Sequence, residues 1–263
     1  MPDVKANGIT IHYEERGKGE PLILIMGLGA PGGVWELHAQ AYEKHFRCIL
    51  MDNRGAGGSD KPAGPYTTRM MAEDTAGLMD ALGIASARVA GISMGSCIAQ
   101  ELALAHPEKV RSLALISSWA RCDKYTVAIF EHFKKMRAVA LPADFMQLLQ
   151  LWIFTPGHYE AHFADMLEGQ RLAAEGYMPV QAFQGQCDAC ATHDALGRLG
   201  GIKAPALLTV GDADIFTPLR LSQEMRERMP NARMEVFKGW GHCHHWEDLE
   251  RFNKITTEFL LRH

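Results

Sequence analysis

A serine between two glycines, in the run Gly91-Ile92-Ser93-Met94-Gly95, is the feature of this sequence that points most directly to chemistry. The apolar run before it predicts a buried strand, and a helix pattern begins at Met94. A turn from strand into helix is so tight that side chains at the two glycine positions would clash, and it presents the serine hydroxyl at a helix N-terminus. The pattern therefore predicts a serine nucleophile at Ser93.

Two later loops contain the partners that such a serine needs. A serine hydroxyl is a weak nucleophile at neutral pH, so it requires a histidine base and an acid that fixes the histidine tautomer, in the chain order serine, acid, histidine. Asp212 and Asp214 follow one predicted strand, and His242 follows the next. The residues alone leave both aspartates open as the acid. Turn-forming aspartates and surface histidines are common, and the joint order of the three residues is what favours a catalytic triad.

The elements that must position these residues alternate along the chain. Short runs rich in apolar and β-branched residues predict strands, and helix-patterned segments lie between them, which is typical of βαβ units. The predicted strands are ITIHY, PLILIM, FRCILMD, ARVAGIS, SLALIS, PALLTVGD and RMEVF. Several are apolar throughout, which indicates a mostly parallel sheet covered by helices on both faces. Helices are predicted over 70–82, 94–105 and 246–261, and glycine turns at 7–8 and 17–19 predict an antiparallel edge.

The stretch from 119 to 201 has helix patterning and no strand signal. Because strands resume at Ala206, this stretch interrupts one sheet and does not begin a second independent domain. We therefore predict an α/β core of residues 1–118 and 202–263 with a helical cap of 119–201. The cap is expected to lie over the carboxyl edge of the sheet, where α/β proteins bind their ligands. Trp119, directly after a predicted strand, is the candidate substrate-binding residue.

Taken together, these motifs resemble those of the α/β-hydrolase superfamily, in its cap-bearing branch, and are most similar to its esterases, enol-lactonases and related small-substrate hydrolases. Besides the motif around Ser93, the run DNRGAGGS at 52–59 is similar to the family loop D-x-R-G-x-G-x-S. The run GDAD is similar to the family loop G-x-x-D, which implies that Asp214 is the triad acid and Asp212 is not. The family pattern G-x-G-H likewise implies His242 as the base.

Acyl transfer also needs N–H donors aimed at the oxygen that becomes an oxyanion. Met94, the first residue of the predicted helix, supplies one backbone N–H. The resemblance implies that the second is the N–H of Leu28, in the loop after the strand PLILIM. Many relatives have His-Gly where this chain has Met26-Gly27. Because the donor is a backbone group, the oxyanion hole is expected to persist.

The expected function is a serine hydrolase that cleaves a small to medium, largely apolar carboxylic ester or lactone through an acyl-enzyme, without metal or cofactor. Halide and epoxide chemistry is not expected, because it resembles the chemistry of relatives with an aspartate nucleophile, whereas position 93 is serine. Thioester or C–C bond hydrolysis on the same triad, a cofactor-free perhydrolase side activity, and a ligand receptor that keeps the triad without turnover all stay open.

The composition argues against several classes of partner. The net charge is −4 and no run of Lys or Arg occurs, so nothing predicts binding to nucleic acid or to an anionic membrane. The apolar runs are too short to span a bilayer, and the N-terminal residues lack the pattern of a secretory signal. A small-molecule substrate is the expected partner. The sequence gives no indication of the oligomeric state.

The six cysteines are scattered through the chain, which predicts free thiols and a cytoplasmic location. Cys187, Cys190, His193 and the run 243–245 could be considered metal ligands. One C-x-x-C pair without a second is a weak metal signal, and using the residues beside His242 would take the base away from Ser93. We therefore expect no metal site.

Overall fold

Eight strands form one sheet in a computed structural model of the chain, which describes residues 2–176 and 178–263. The strands are Asp3–Ala6 (β1), Ile9–Arg16 (β2), Glu20–Ile25 (β3), Phe46–Met51 (β4), Ala87–Ile92 (β5), Val110–Ile116 (β6), Ala206–Gly211 (β7) and Ala232–Phe237 (β8). Their order across the sheet is β1-β2-β4-β3-β5-β6-β7-β8. Strands β3 to β8 run parallel to one another, so the predicted mostly parallel sheet is confirmed.

The antiparallel edge is formed by the first two strands. β1 pairs with β2, and β2 pairs with β4, both antiparallel. The turn at Asn7 and Gly8 joins β1 to β2 as a hairpin, and both residues have the positive φ that such a tight turn requires. The glycine turn at 17–19 forms no hairpin, because β4 lies between β2 and β3 in the sheet.

Eleven α-helices accompany the sheet within the described residues. They are Glu36–Tyr42 (α1), Thr68–Ala81 (α2), Met94–Ala105 (α3), Lys124–Val139 (α4), Pro142–Ile153 (α5), Pro156–Ala161 (α6), Phe163–Gly176 (α7), Val180–Ala191 (α8), Leu219–Arg228 (α9), His244–Glu247 (α10) and Leu249–Arg262 (α11). The prediction of a single helix over 246–261 is wrong in one respect. Asp248 has φ −132° and ψ 60°, values outside the helical region, and it separates α10 from α11.

Helices cover both faces of the sheet, as the continuous apolar strands predicted. Alternate residues of β3 point to opposite faces: Ile23 and Ile25 pack into a core with α2 and α3, whereas Leu22 and Leu24 pack into a second core with α1 and α11. β5 and β7 are buried along their whole length. The central strands therefore have no solvated face, which is the arrangement expected for a parallel sheet.

The five helices α4 to α8 all lie between β6 and β7, within the stretch predicted as a cap. The two ends of this insertion meet. Arg121 and Asp194 form an isolated antiparallel bridge, and Ala195 N donates to Ala120 O at 2.8 Å. The insertion therefore leaves and rejoins the core at one place. None of the helices in residues 2–176 and 178–263 is long and apolar enough to cross a membrane.

One edge of the sheet collects all the predicted site residues. Because β3, β5, β6, β7 and β8 are parallel, their carboxyl ends lie at the same edge. The loops that follow these five strands contain, in that order, Leu28, Ser93, Trp119, Asp214 and His242.

Candidate active site

The backbone at Ser93 makes the abrupt turn that the sequence predicted. β5 ends at Ile92, α3 begins at Met94, and Ser93 between them has φ 54° and ψ −118°, a conformation that residues with side chains rarely adopt. A Cβ on Gly91 would overlap the carbonyl of Gly95, and a Cβ on Gly95 would overlap the carbonyl of Ile25. The two glycines are therefore required by close backbone packing.

The acid and the base are in direct contact. Asp214 Oδ2 lies 2.8 Å from His242 Nδ1, and both side chains are almost completely buried. Because the carboxylate only accepts, Nδ1 must donate the hydrogen in this contact. In a neutral imidazole this makes Nε2 the acceptor, which is the tautomer that a general base needs.

The Asp214 carboxylate is fixed by three more donors. Its Oδ1 accepts from the N–H groups of Phe216 and Thr217, each at 2.8 Å, and its Oδ2 accepts from Thr217 Oγ1 at 2.8 Å. Buried carboxylates are costly unless they are hydrogen-bonded, and here both oxygens of Asp214 have partners.

Asp212, the aspartate two residues earlier, lies elsewhere. Its side chain is exposed, and its Oδ1 accepts from the N–H of Gly239 at 2.6 Å. Of the two aspartates that the residues alone left open, the structure places Asp214 against His242 and Asp212 in a surface turn.

Ser93 and His242 are held to neighbouring residues at the end of β6. Ser93 N donates to Ile116 O at 2.8 Å, and Ser117 Oγ donates to His242 O at 2.6 Å. Ser117 also has a positive φ, 50°, and its carbonyl oxygen lies 3.3 Å from Thr217 Oγ1, whose hydrogen goes to the nearer Asp214 Oδ2. The last residue of β6 and Ser117 together therefore contact the serine loop, the aspartate loop and the histidine loop. No motif marks Ser117, whose only signal in the sequence is its position at the carboxyl end of a predicted strand.

The loop expected to complete the oxyanion hole lies against the serine. A Cβ built on Gly27 would be 3.3 Å from Ser93 Cβ, so the backbone of this loop passes directly beside the serine. Met94, whose N–H is the other predicted donor, is the first residue of α3, and N–H groups of a first helical turn have no intrahelical partner. The Met26 side chain, in the place of the histidine of many relatives, is buried in the core, and Asn53 Nδ2 donates to Met26 O at 2.8 Å.

A row of aromatic rings leads from the histidine into the cap. Phe216 lies 4.8 Å from the His242 ring, Phe130 lies 5.4 Å from Phe216, and Trp119 lies 5.6 Å from Phe130, measured between ring centroids. Trp119 is fully buried at the far end of this row. Its assignment to the pocket wall remains a prediction.

The histidine loop is also tied to the cap. Cys243 N donates to Ile153 O at 2.9 Å. Glu247 accepts from Gly241 N at 2.5 Å through one carboxylate oxygen and from the N–H of Thr155 at 2.7 Å through the other. The junction between α5 and α6 therefore contacts the backbone on both sides of His242.

The residues that could be considered metal ligands are buried in packed surroundings. Burial raises the pKa of the Cys187 thiol and that of the Cys190 thiol well above the usual value. His193 Nδ1 lies 2.9 Å from Thr68 Oγ1, and His244 Nε2 is bonded within the core. No group of three or more His, Cys, Asp or Glu side chains within 2–176 and 178–263 is arranged to hold a metal ion.

The whole chain was compared with known proteins. A family model described as alpha/beta hydrolase fold matches residues 20–249. A protein of Azorhizobium caulinodans provisionally named a carbamate hydrolase (RutD) is 30% identical over 98% of this chain and 98% of its own length. The enol-lactonase of Burkholderia xenovorans LB400 has a TM-score of 0.92 at 26% identity, covering 99% of this chain and 100% of its own. A meta-cleavage product hydrolase of Pseudomonas fluorescens IP01 has a TM-score of 0.85 at 25% identity, covering 100% and 98%.

Because the two aspartates have different surroundings, replacing each one should lower activity by a different amount. Asp214→Asn should lower kcat/KM for a chromogenic ester on the order of ten-thousandfold, because an amide no longer fixes the His242 tautomer. Asp212→Asn, the matched control, should retain most activity, since Asp212 is exposed and an Asn oxygen can still accept from Gly239 N. Larger loss in Asp212→Asn than in Asp214→Asn would contradict the assignment of the acid.

Buried histidines beside the site predict a loss of stability in mild acid. Burial lowers the pKa of His38 to about 4 and that of His244 to about 3, from 6.5, and it lowers the pKa of His245 well below that value. Below pH 6.5 the unfolded chain therefore binds protons that the folded chain does not. The free energy of unfolding should fall as pH drops from 6.5 towards 4, by about 1.4 kcal/mol per pH unit for each histidine.

Denaturant melts at half-unit pH intervals measure this slope. His38→Gln should reduce the slope, because it removes one of the buried groups. His45→Gln, which replaces an exposed histidine, is the matched control. Stability that stays constant between pH 6.5 and 4.5 would show that these imidazoles are not held neutral in the fold.

Proposed function

This chain belongs to the alpha/beta hydrolase fold family, and on that premise we propose that it is a serine hydrolase acting on a small to medium, largely apolar carboxylic ester or lactone. The family predicted from the sequence motifs is confirmed by the match over residues 20–249. The proposed residues are Ser93 as nucleophile, His242 as base and Asp214 as the orienting acid. Leu28 and Met94 are the proposed oxyanion donors.

The observation that carries this proposal is the 2.8 Å contact between His242 Nδ1 and Asp214 Oδ2, in loops at the same edge of the sheet as the strained turn at Ser93. Strained residues persist only where the surrounding structure holds them, and they are found preferentially at active sites. A paired acid and histidine at the same sheet edge as such a serine support acyl transfer.

In the first half of the proposed reaction, Ser93 Oγ attacks the substrate carbonyl carbon while His242 Nε2 takes the hydroxyl proton. The carbonyl oxygen becomes an oxyanion, which accepts hydrogen bonds from the N–H groups of Leu28 and Met94. Asp214 stabilises the imidazolium through Nδ1. The C–O bond to the leaving group then breaks, the leaving oxygen takes the proton from Nε2, and an acyl-serine remains.

In the second half, water attacks the acyl carbon and His242 Nε2 takes a proton from it. The second tetrahedral intermediate occupies the same oxyanion donors. Its collapse breaks the bond to Ser93 Oγ, which regains its proton from Nε2, and the carboxylic acid is released. Every proton moves through one histidine nitrogen, so the mechanism calls for no cofactor.

The apolar rings near His242 support an uncharged acyl group. The Phe216 ring lies 4.8 Å from the His242 ring and begins a row of apolar rings. Pockets lined by such rings bury most of a small ligand and orient it with few polar groups. Similarity to an enol-lactonase supports a lactone or ester bond, and hydrolysis of a carbamate would follow the same acyl-transfer steps.

C–C bond hydrolysis is the second candidate, because the chain is similar to a meta-cleavage product hydrolase over its whole length. Thioester hydrolysis remains compatible with the same triad. A triad-retaining receptor differs from all of these in binding its ligand without turnover. The proposed partner in each case is a small molecule.

The substrate-size prediction is tested with a panel of p-nitrophenyl esters of increasing chain length, several lactones, an aryl carbamate and a C–C diketone. Short to medium esters or lactones should have the highest kcat/KM. Trp119→Ala should shift the preference towards bulkier acyl groups, because it opens space at the end of the ring row, whereas Trp119→Phe should keep the native order. A native optimum at long-chain lipid esters, or an unchanged profile in Trp119→Ala, would count against this pocket.

The nucleophile is tested by Ser93→Ala, which should lower turnover by up to about a millionfold while the protein stays folded. A fluorophosphonate should label the native protein at Ser93 alone, as read by mass spectrometry of its peptides. Ser86→Ala, directly before β5, is the control and should keep both activity and labelling. Hydrolysis that survives in Ser93→Ala would refute the proposed function.

A further inference from the structure

Gln186 is a fully buried cap residue that bonds to two separate backbone loops of the core. It lies on α8, where its Oε1 accepts from Gly29 N at 2.8 Å and its Nε2 donates to Arg54 O at 2.9 Å. A buried amide with both ends satisfied by backbone groups is held in one orientation. Gly29 belongs to the loop proposed to complete the oxyanion hole.

That loop is flanked by residues with great backbone freedom. Leu28 lies between Gly27 and Gly29, and glycine restricts backbone rotation less than any other residue. Gly29 also has φ 77°, a value suited to glycine. Within the loop, Ala30 N donates to Gly27 O over a long 3.5 Å, so contacts from outside the loop contribute to the direction of the Leu28 N–H.

Two side chains supply those contacts, one on each side of Leu28. Asn53 Nδ2 holds the carbonyl of Met26, which fixes the peptide unit between residues 26 and 27. Gln186 Oε1 holds the N–H of Gly29, which fixes the peptide unit between residues 28 and 29. The peptide unit with the Leu28 N–H lies between these two fixed planes.

Gln186 reaches the loop because α8 packs very closely against the core. A Cβ on Gly185 would lie 3.0 Å from the Tyr66 ring, so only a small residue allows this approach. The second anchor is also firm: the Arg54 guanidinium makes two 2.6 Å hydrogen bonds to the buried Asp74 carboxylate. The amide thus joins the oxyanion loop to a rigid part of the core.

From this geometry we infer that Gln186 is a positioning residue for the oxyanion hole: it holds the 28–29 peptide so that the Leu28 N–H is aimed at the developing oxyanion. The inference rests on the proposed function. It means that a cap residue contributes to the chemical step itself, in addition to the role of the cap in enclosing substrate. Loss of one oxyanion donor typically costs about 100- to 1000-fold in rate, so a misaimed donor should cost on the order of 10- to 100-fold.

The test uses Gln186→Met, which keeps the size of the side chain and removes both hydrogen bonds. Binding of a trifluoromethyl ketone, which adds to the serine and forms an oxyanion, is compared with binding of the matching methyl ketone, which only occupies the pocket. In Gln186→Met, kcat/KM and trifluoromethyl ketone affinity should fall together by about 10- to 100-fold. Methyl ketone affinity should stay within about twofold, because ground-state binding does not use the oxyanion donors.

The matched control is Gln150→Met, at another buried cap glutamine, whose amide bonds to Met166 O and Gln170 within the cap. It should leave all three measurements near the native values. Gln186→Asn keeps a polar amide but shortens it by one methylene, and it serves as the test if Gln186→Met does not fold. It should also weaken the trifluoromethyl ketone relative to the methyl ketone.

Three results would overturn the inference: native kcat/KM in Gln186→Met, equal weakening of both ketones in Gln186→Met, and an unchanged ratio of the two ketone affinities in Gln186→Asn. Equal weakening would show that Gln186 supports the pocket as a whole and not the oxyanion donor. A native protein that neither hydrolyses esters nor reacts with a fluorophosphonate would refute the proposed function and this inference with it, whereas an active native protein with an active Gln186→Met refutes the inference alone.

Discussion

At Ser93 the chain must pass from a buried strand into a buried helix within one residue, and the conformation that this requires costs on the order of 1–3 kcal/mol. Much of the surrounding structure holds that turn in place. Gly91 and Gly95 allow the backbones to approach, and the Ser93 N–H continues the ladder to Ile116. β5 lies between β3 and β6 in the middle of the sheet, so the loops that follow those strands necessarily flank the serine.

The buried polar groups of the aspartate and histidine loops are hydrogen-bonded to one another, which is necessary because burial removes them from water. Asp214 accepts four hydrogen bonds, from Phe216 N, from Thr217 N and Oγ1, and from His242 Nδ1. Ser117 Oγ donates to the His242 carbonyl. An unpaired polar group here would cost about 1–3 kcal/mol, so each member of the set limits the positions open to the others. Such coupling orients the imidazole before any substrate arrives, which is the basis of electrostatic preorganisation.

The helical insertion is hydrogen-bonded to two loops that contain proposed site residues. α8 holds the loop with Leu28 through Gln186, and the junction of α5 and α6 holds the loop with His242 through Ile153 O and through Thr155 N, which donates to Glu247. Gln186 and Ile153 bond to backbone N–H groups of these loops, so they act on loop geometry whatever side chains stand at the bonded positions. If the proposed roles hold, changes in the insertion would alter the alignment of the proposed catalytic groups.

Local sequence patterns predicted the mostly parallel sheet and the abrupt turn at Ser93, and helix patterning marked the stretch that contains α4 to α8. Each of these depends on local patterning: apolar runs, glycine spacing and the residue after a strand. The sequence by itself could not choose between Asp212 and Asp214 without a family resemblance, because both follow the same strand and only tertiary packing makes one exposed and the other buried. The contacts of Ser117 and Gln186 could not be predicted from the sequence for the same reason. Ser117 is 125 residues from His242 and Gln186 is 157 residues from Gly29, and contacts over such separations are decided by how the sheet and the cap pack together, which no local pattern records.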